Sequence, residues 1–219
     1  MRRILSVTIG ILIILFITNF SYAQEKDKSF YVSLGIGFSI PQTQTDQVSE
    51  TAEFNNGLVT KGSLGYTFTG SSPVVLRSEL EISYRRYEGD RLGDTPSGPY
   101  HGADGNLTYL TGMVNGLLDF KTGTKVTPFV GIGIGWSRVA YNSVKAKDGT
   151  SATVDDTDNV FAYQGMAGLA YDITESWKID LEYRYFHTQD TTLKNDSGVG
   201  VNFDCNSNHS VIVGVRYLF

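Results

Sequence analysis

The 219 residues include 18 basic and 23 acidic side chains, for a net charge of −5 at pH 7, and a single cysteine, Cys205. The acidic balance argues against a nucleic-acid partner, and one cysteine excludes an internal disulfide and the usual zinc spacings. The length suits one barrel or two small domains.

Arg2 and Arg3 precede an apolar run of 14 residues, Ile4 to Ile17, followed by a short polar stretch with small residues at Ser21 and Ala23. A spanning helix needs about 20 apolar residues. A charged start, a shorter apolar run and small residues two apart instead make a secretory signal, cleaved after Ala23. The arginine pair lacks a twin-arginine context, so ordinary Sec export is expected. The remaining residues 24–219, 196 in all, carry 16 basic and 23 acidic side chains, hence −7. Cys205 is far from the cleavage point, so it is no lipid anchor.

From there the chain alternates between apolar and polar residues in eight runs: 29–40, 57–68, 74–87, 107–120, 128–139, 160–172, 177–186 and 208–219. Period-two alternation is the mark of strands with two different faces. The connections alternate too. Those at 41–56, 88–106, 140–159 and 187–207 are long, and those at 69–73, 121–127 and 173–176 are short. This layout predicts an all-β, eight-stranded antiparallel up-and-down transmembrane barrel, with short periplasmic turns and four long extracellular loops.

A soluble lipocalin-like barrel has the same period with its apolar face inside, and the aromatic residues decide between the two. On the apolar face, Phe68, Phe120, Tyr171, Trp177, Tyr217 and Phe219 stand at the turn ends of their strands. Phe38, Tyr84, Trp136, Phe161, Tyr163 and Tyr185 stand at the loop ends, with aliphatics such as Leu34, Ile82, Ile132 and Leu181 between. Two aromatic girdles around an aliphatic belt are what a bilayer selects. The last strand ends with Val215, Tyr217 and Phe219 on one face, the expected signal for the barrel assembly machinery, and outer-membrane lipids are the expected surroundings.

The opposite face is then the lumen. The third strand offers it Arg77, Glu79, Glu81 and Arg85, and the seventh Lys178, Asp180, Glu182 and Arg184. The first and fifth offer mainly glycine and serine: Ser33, Gly35, Gly37, Ser39, and Gly131, Gly133, Gly135, Ser137. Long charged side chains from two facing walls are expected to meet across the axis in space left by the glycines. With Lys61, Asp119, Asp172 and Arg216, the lumen counts six cations and six anions, a balance that suits a mutually neutralised polar plug.

Other patterns carry less chemistry. Glu79 with Glu81, or Asp180 with Glu182, has the form of an acid/base pair, but charges inside a small barrel are expected to be structural. His187 with Asp190, or His209 with Ser210, is a possible rim pair for an outer-membrane enzyme; His101 falls in a loop. Asp155, Asp156 and Asp158 lack the glycine and terminal glutamate of a calcium loop. The glycines at 131, 133 and 135 lie inside a strand with no helix after them, so they form no phosphate loop. No catalytic residue, metal site or cofactor is expected.

The stretches Thr127-Pro128-Phe129-Val130-Gly131-Ile132-Gly133-Ile134-Gly135, Phe161 to Asp172, Leu181-Glu182-Tyr183-Arg184-Tyr185-Phe186 and Gly214-Val215-Arg216-Tyr217-Leu218-Phe219 resemble the opacity-type or porin-family outer-membrane barrels. That group includes Rickettsiales surface antigens and relatives of the OmpA transmembrane domain. The resemblance implies surface exposure, adhesion or immune recognition, and sometimes modest pore activity. The expectation is a non-enzymatic surface barrel in the cell outer membrane, whose loops meet an unidentified extracellular ligand or host surface or serve envelope integrity. The alternatives are a narrow diffusion pore and an enzyme with a rim active site.

Overall fold

A computed structural model describes residues 29–42, 44–45, 51–54, 56–68, 73–92, 101–146, 154–189, 191–194, 200–203 and 207–219. The expected signal segment, Asp190 and Cys205 lie outside the described residues. Eight long strands dominate: β1 (Phe30–Pro41), β2 (Gly57–Phe68), β3 (Val74–Leu92), β4 (His101–Phe120), β5 (Val126–Ala146), β6 (Val154–Asp172), β7 (Trp177–Thr188) and β8 (Ser207–Leu218). Each pairs antiparallel with its chain neighbour. The ring closes where β8 pairs with β1, with Phe38 opposite Val211 and Val32 opposite Tyr217. Closure leaves none of these strands with a free edge, the only form in which a sheet can cross a bilayer.

The two faces have the polarity of a membrane barrel. Ile132 is 75 % exposed on the outside, whereas Arg184 inside is 0 % exposed. Along β3, Leu76, Leu80, Ile82 and Tyr84 point out while Arg77, Glu79, Glu81 and Arg85 are buried. A soluble barrel would reverse this arrangement. Ring contacts tie the girdles together: at the turn end Trp177–Tyr217 (4.8 Å), Tyr217–Phe219 (5.2 Å) and Phe30–Tyr66 (4.7 Å), and at the loop end Trp136–Phe161 (6.0 Å).

The hairpins run farther than the sequence pattern indicated. Segments 88–106 and 140–159 were expected as loops, yet β3 continues to Leu92, β4 starts at His101, β5 continues to Ala146 and β6 starts at Val154. Register shifts occur at Glu88/Arg91, Asp104/Asn106 and Tyr141/Val144. The expected loops 41–56 and 187–207 likewise contain short strand pairs, Gln44–Thr45 with Thr51–Phe54 and Thr191–Lys194 with Gly200–Phe203. Regular apolar alternation stops beyond Tyr87 and Val139, but the backbone ladder does not need it to continue. At the opposite end the described turns, 121–125 and 173–176, are short, and Gly123 (φ 73°) takes a left-handed conformation that side-chain-bearing residues rarely adopt.

Candidate functional site

Period-two geometry puts every second residue of a strand on one face, so β3 and β7 each deliver a column of charge to the lumen. These strands are four steps apart in the eight-membered ring and therefore face each other. Across the axis, Arg184 Nη1 and Nη2 donate to Glu81 Oε1 and Oε2 at 2.5 and 2.8 Å. Arg184 Nε donates to Glu182 Oε1 at 2.7 Å, and Lys61 Nζ reaches Glu182 Oε2 at 2.6 Å and Glu81 Oε2 at 3.9 Å. Two cations and two anions thus form a neutral quartet. Asn115 Nδ2 donates to Glu81 at 3.2 Å and Gln164 Nε2 to Asn115 at 2.8 Å, which supports the quartet from β4 and β6.

A second group lies nearer the turns. Arg216 binds Asp180 through two nitrogens at 2.6 and 3.1 Å, and Arg77 Nε stands 2.7 Å from Asp119 Oδ2. Arg77 Nη1 also donates to Glu79 at 2.9 Å and to the Tyr31 hydroxyl at 2.9 Å, and that hydroxyl donates to Glu79 at 2.6 Å. Arg216 approaches Asp119 from the opposite wall at 3.9 Å. Here two cations face three carboxylates. Lys178 and Asp172 form a separate, partly exposed pair across β6 and β7.

Arg85 departs from the expected mutual neutralisation. Among the described residues no carboxylate lies within ion-pair distance of it. Its Nη1 donates to Ser83 Oγ at 3.1 Å, Nε and Nη2 have no hydrogen-bond partner among the described residues, and the guanidinium sits 4.0 Å from the centre of the Phe186 ring. The surplus anion of the turn-end group balances it in charge but not in contact.

The lumen is also less polar than expected. Tyr87, Leu107, Tyr109, Met113, Val139, Val160, Ala162 and Phe186 form a buried apolar cluster at the loop end, and Leu117, Phe129, Met166 and Ala170 form another at the turn end. The quartet lies between them, while Arg77 shares the level of the turn-end cluster, opposite Leu117 and 5.3 Å from the centre of the Phe129 ring. These positions alternate correctly for the inner face, but apolar residues on both faces of a strand hide which side is which. The glycine space is used differently on the two walls. The Lys61 stem runs over Gly35 on β1, whereas Gly133 on β5 accommodates the Asn115 amide rather than a charge pair.

Of the two expected rim pairs, His209 with Ser210 is not assembled, and the Asp190 partner of His187 lies outside the described residues. His209 and Ser210 are adjacent on β8 and point to opposite faces. His209 Nδ1 bonds the Tyr183 hydroxyl at 2.6 Å, while Ser210 Oγ donates to Ser39 Oγ inside at 2.9 Å. His187 Nδ1 bonds Ser207 Oγ at 2.8 Å, and the backbone of His101 opens β4. Asp155, Asp156 and Asp158 are in β6, and Asp158 accepts from the Asn159 amide at 2.7 Å.

The family model described as outer membrane protein beta-barrel domain matches residues 9–219. The chain belongs to this family. It is an outer-membrane barrel, as its inside-out polarity requires. An outer membrane protein of Gluconacetobacter diazotrophicus is 32 % identical over 219 aligned positions, which cover 86 % of this chain and 57 % of that protein. The chain thus spans less than two thirds of that relative. Outer membrane protein PagN of Salmonella typhimurium is 25 % identical, covering 71 % of this barrel and 70 % of its own length. Neisserial surface protein A superposes with a TM-score of 0.54 at 18 % identity, over 90 % of this chain and 100 % of that one. OprG of Pseudomonas aeruginosa gives 0.55 at 12 % identity, over 87 % and 96 %. At these identities the likeness concerns the fold.

Proposed function

We propose that the barrel is a non-enzymatic scaffold that holds its four long hairpins at the cell surface, where they engage an external surface. The observation that carries this reading is the filled lumen. Arg184 and Glu81 join opposite walls with exposures of 0 % and 2 %, between two apolar clusters. A barrel closed at mid-height transmits nothing through its centre, and recognition then falls to loops on a rigid frame. Acidic residues outnumber Lys and Arg in each of 41–56, 88–106, 140–159 and 187–207, which favours a cationic partner surface. Of the rim histidines, His209 bonds the Tyr183 hydroxyl and the Gln42 amide and offers no nucleophile, whereas the His187–Ser207 contact is where an enzyme reading would start.

The test is attachment. Cells displaying the barrel should adhere to a cultured epithelial monolayer several-fold better than cells without it. Exchanging residues 147–153 and 93–100 for short Gly-Ser links should remove the gain, and raised salt should weaken it. Unchanged adhesion on display, together with stable single-channel conductance, would replace this reading with the diffusion pore.

A further inference from the structure

Among the described residues, four arginines are buried in the lumen: Arg77, Arg85, Arg184 and Arg216. A guanidinium offers an anion the edge that carries Nε and Nη2, a fork of two parallel donors. Arg216 turns this edge to Asp180, with Nε at 3.1 Å and Nη2 at 2.6 Å from the two carboxylate oxygens. Arg184 turns it to Glu182, with Nε and Nη2 at 2.7 and 2.6 Å from Oε1. Arg77 Nε stands 2.7 Å from Asp119. On Arg85 the same edge is buried, and neither nitrogen has a hydrogen-bond partner among the described residues. Its other sides are taken, Nη1 by Ser83 and one face by Phe186.

The surroundings leave that edge to an anion. On the turn side the quartet of Lys61, Glu81, Glu182 and Arg184 is neutral within itself and has no carboxylate within ion-pair distance of Arg85. On the loop side, Ser39 bonds Tyr87, Asn208 and Ser210, so these hydroxyls are engaged with one another. Thr188, the next inward residue of β7 beyond Phe186, is fully buried, and its hydroxyl is also without a partner among the described residues. The unmet donors therefore gather in the loop-end half of the lumen. A buried charge without a counter-charge costs several kcal/mol, and a ligand that supplies one is favoured by the same amount of electrostatics. It must be small, because Tyr87, Tyr109 and Phe186 around it are buried. It must also be monovalent, because the cost of stripping water from an ion grows with the square of its charge.

We propose that the Nε and Nη2 edge of Arg85 binds a halide-sized monovalent anion, chloride in ordinary surroundings. The ion reaches it from the loop end, since the quartet closes the lumen on the other side. It is held there and does not cross the barrel. The site is independent of loop-mediated attachment, and either can fail without the other.

Urea unfolding of the full barrel in lipid vesicles, at constant ionic strength, compares chloride with gluconate, an anion too large for the site. Replacing gluconate by about 0.5 M chloride should lower the unfolding equilibrium constant of the parent on the order of tenfold, the linkage expected of a site with a dissociation constant of about 50 mM. Arg85→Met should lose this dependence, and Lys125→Met, which removes an exposed cation at the β4–β5 turn, should keep it. No chloride dependence in the parent, or the same dependence in Arg85→Met, overturns the site. If Arg85→Met does not fold, diffraction from parent crystals grown in bromide decides. An anomalous peak beside Arg85 Nε and Nη2 upholds the site, and bromide found only elsewhere overturns it.

Discussion

Arg184 of β7 holds both carboxylate oxygens of Glu81 on β3, 103 positions away in sequence and on the opposite wall of the barrel. Both residues are almost fully buried. Removing one partner of such a pair leaves an uncompensated charge, so Arg184→Met is expected to destabilise the barrel by about 3–5 kcal/mol. The double variant Arg184→Met with Glu81→Gln should recover a substantial part of that loss. Urea unfolding in lipid vesicles measures both, and a single variant within experimental error of the parent refutes the coupling.

Arg85 supplies the contrast. It is as deeply buried as Arg184, but its contacts among the described residues are one serine hydroxyl and the Phe186 face. A cation over an aromatic ring gains about 2 kcal/mol when desolvated, which offsets only part of the cost of burying the charge. Arg85→Met is therefore expected to change stability by no more than about 1 kcal/mol. The same unfolding assay checks it, and a loss as large as that for Arg184→Met would mean that Arg85 has a further partner.

The barrel was legible in the sequence because a bilayer imposes a strict rule: outward residues must be apolar, and turns and girdles must recur at its thickness. The residues facing inward at Arg77, Glu81, Glu182 and Arg184 followed from the same alternation. The pairing among them did not. Which carboxylate meets Arg184 depends on shear and register between strands far apart in the chain, and the six-to-six balance concealed that Arg85 stands apart. The apolar clusters around Phe186 and Phe129 were hidden because an inward phenylalanine looks no different from an outward one. The hairpin extensions beyond Tyr87 and Val139 were missed because the sequence there loses its regular apolar alternation while the backbone pairing continues.

Topology is open to trypsin on intact cells. The loop end offers Arg91, Lys145 and Lys147, and the β4–β5 turn offers Lys121 and Lys125. If the long hairpins face outward, as the loop-length asymmetry of outer-membrane barrels dictates, cleavage should occur at the loop-end sites and spare the turn. Mass spectrometry of the released fragments identifies the sites. Cutting at Lys121 or Lys125 on unbroken cells would invert the orientation.

Conductance tests whether the charged layers close the barrel. An eight-stranded interior is just wide enough to be filled by side chains, and here Lys61, Glu81, Glu182 and Arg184 fill its middle with mutually bonded groups. Truncating one of them strands a neighbour that can swing into the gap, so a single substitution should leave planar-bilayer conductance near background. Truncating Lys61, Glu182 and Arg184 to alanine together removes the bonded partners of Glu81 in this layer except Asn115, and opens a polar path between β2 and β7. Stable channels are expected only in that triple variant, on the condition that its heat-dependent mobility in SDS shows a folded barrel. Large, long-lived channels in the parent would show that the layer yields in the membrane, and would return the lumen to a transport role.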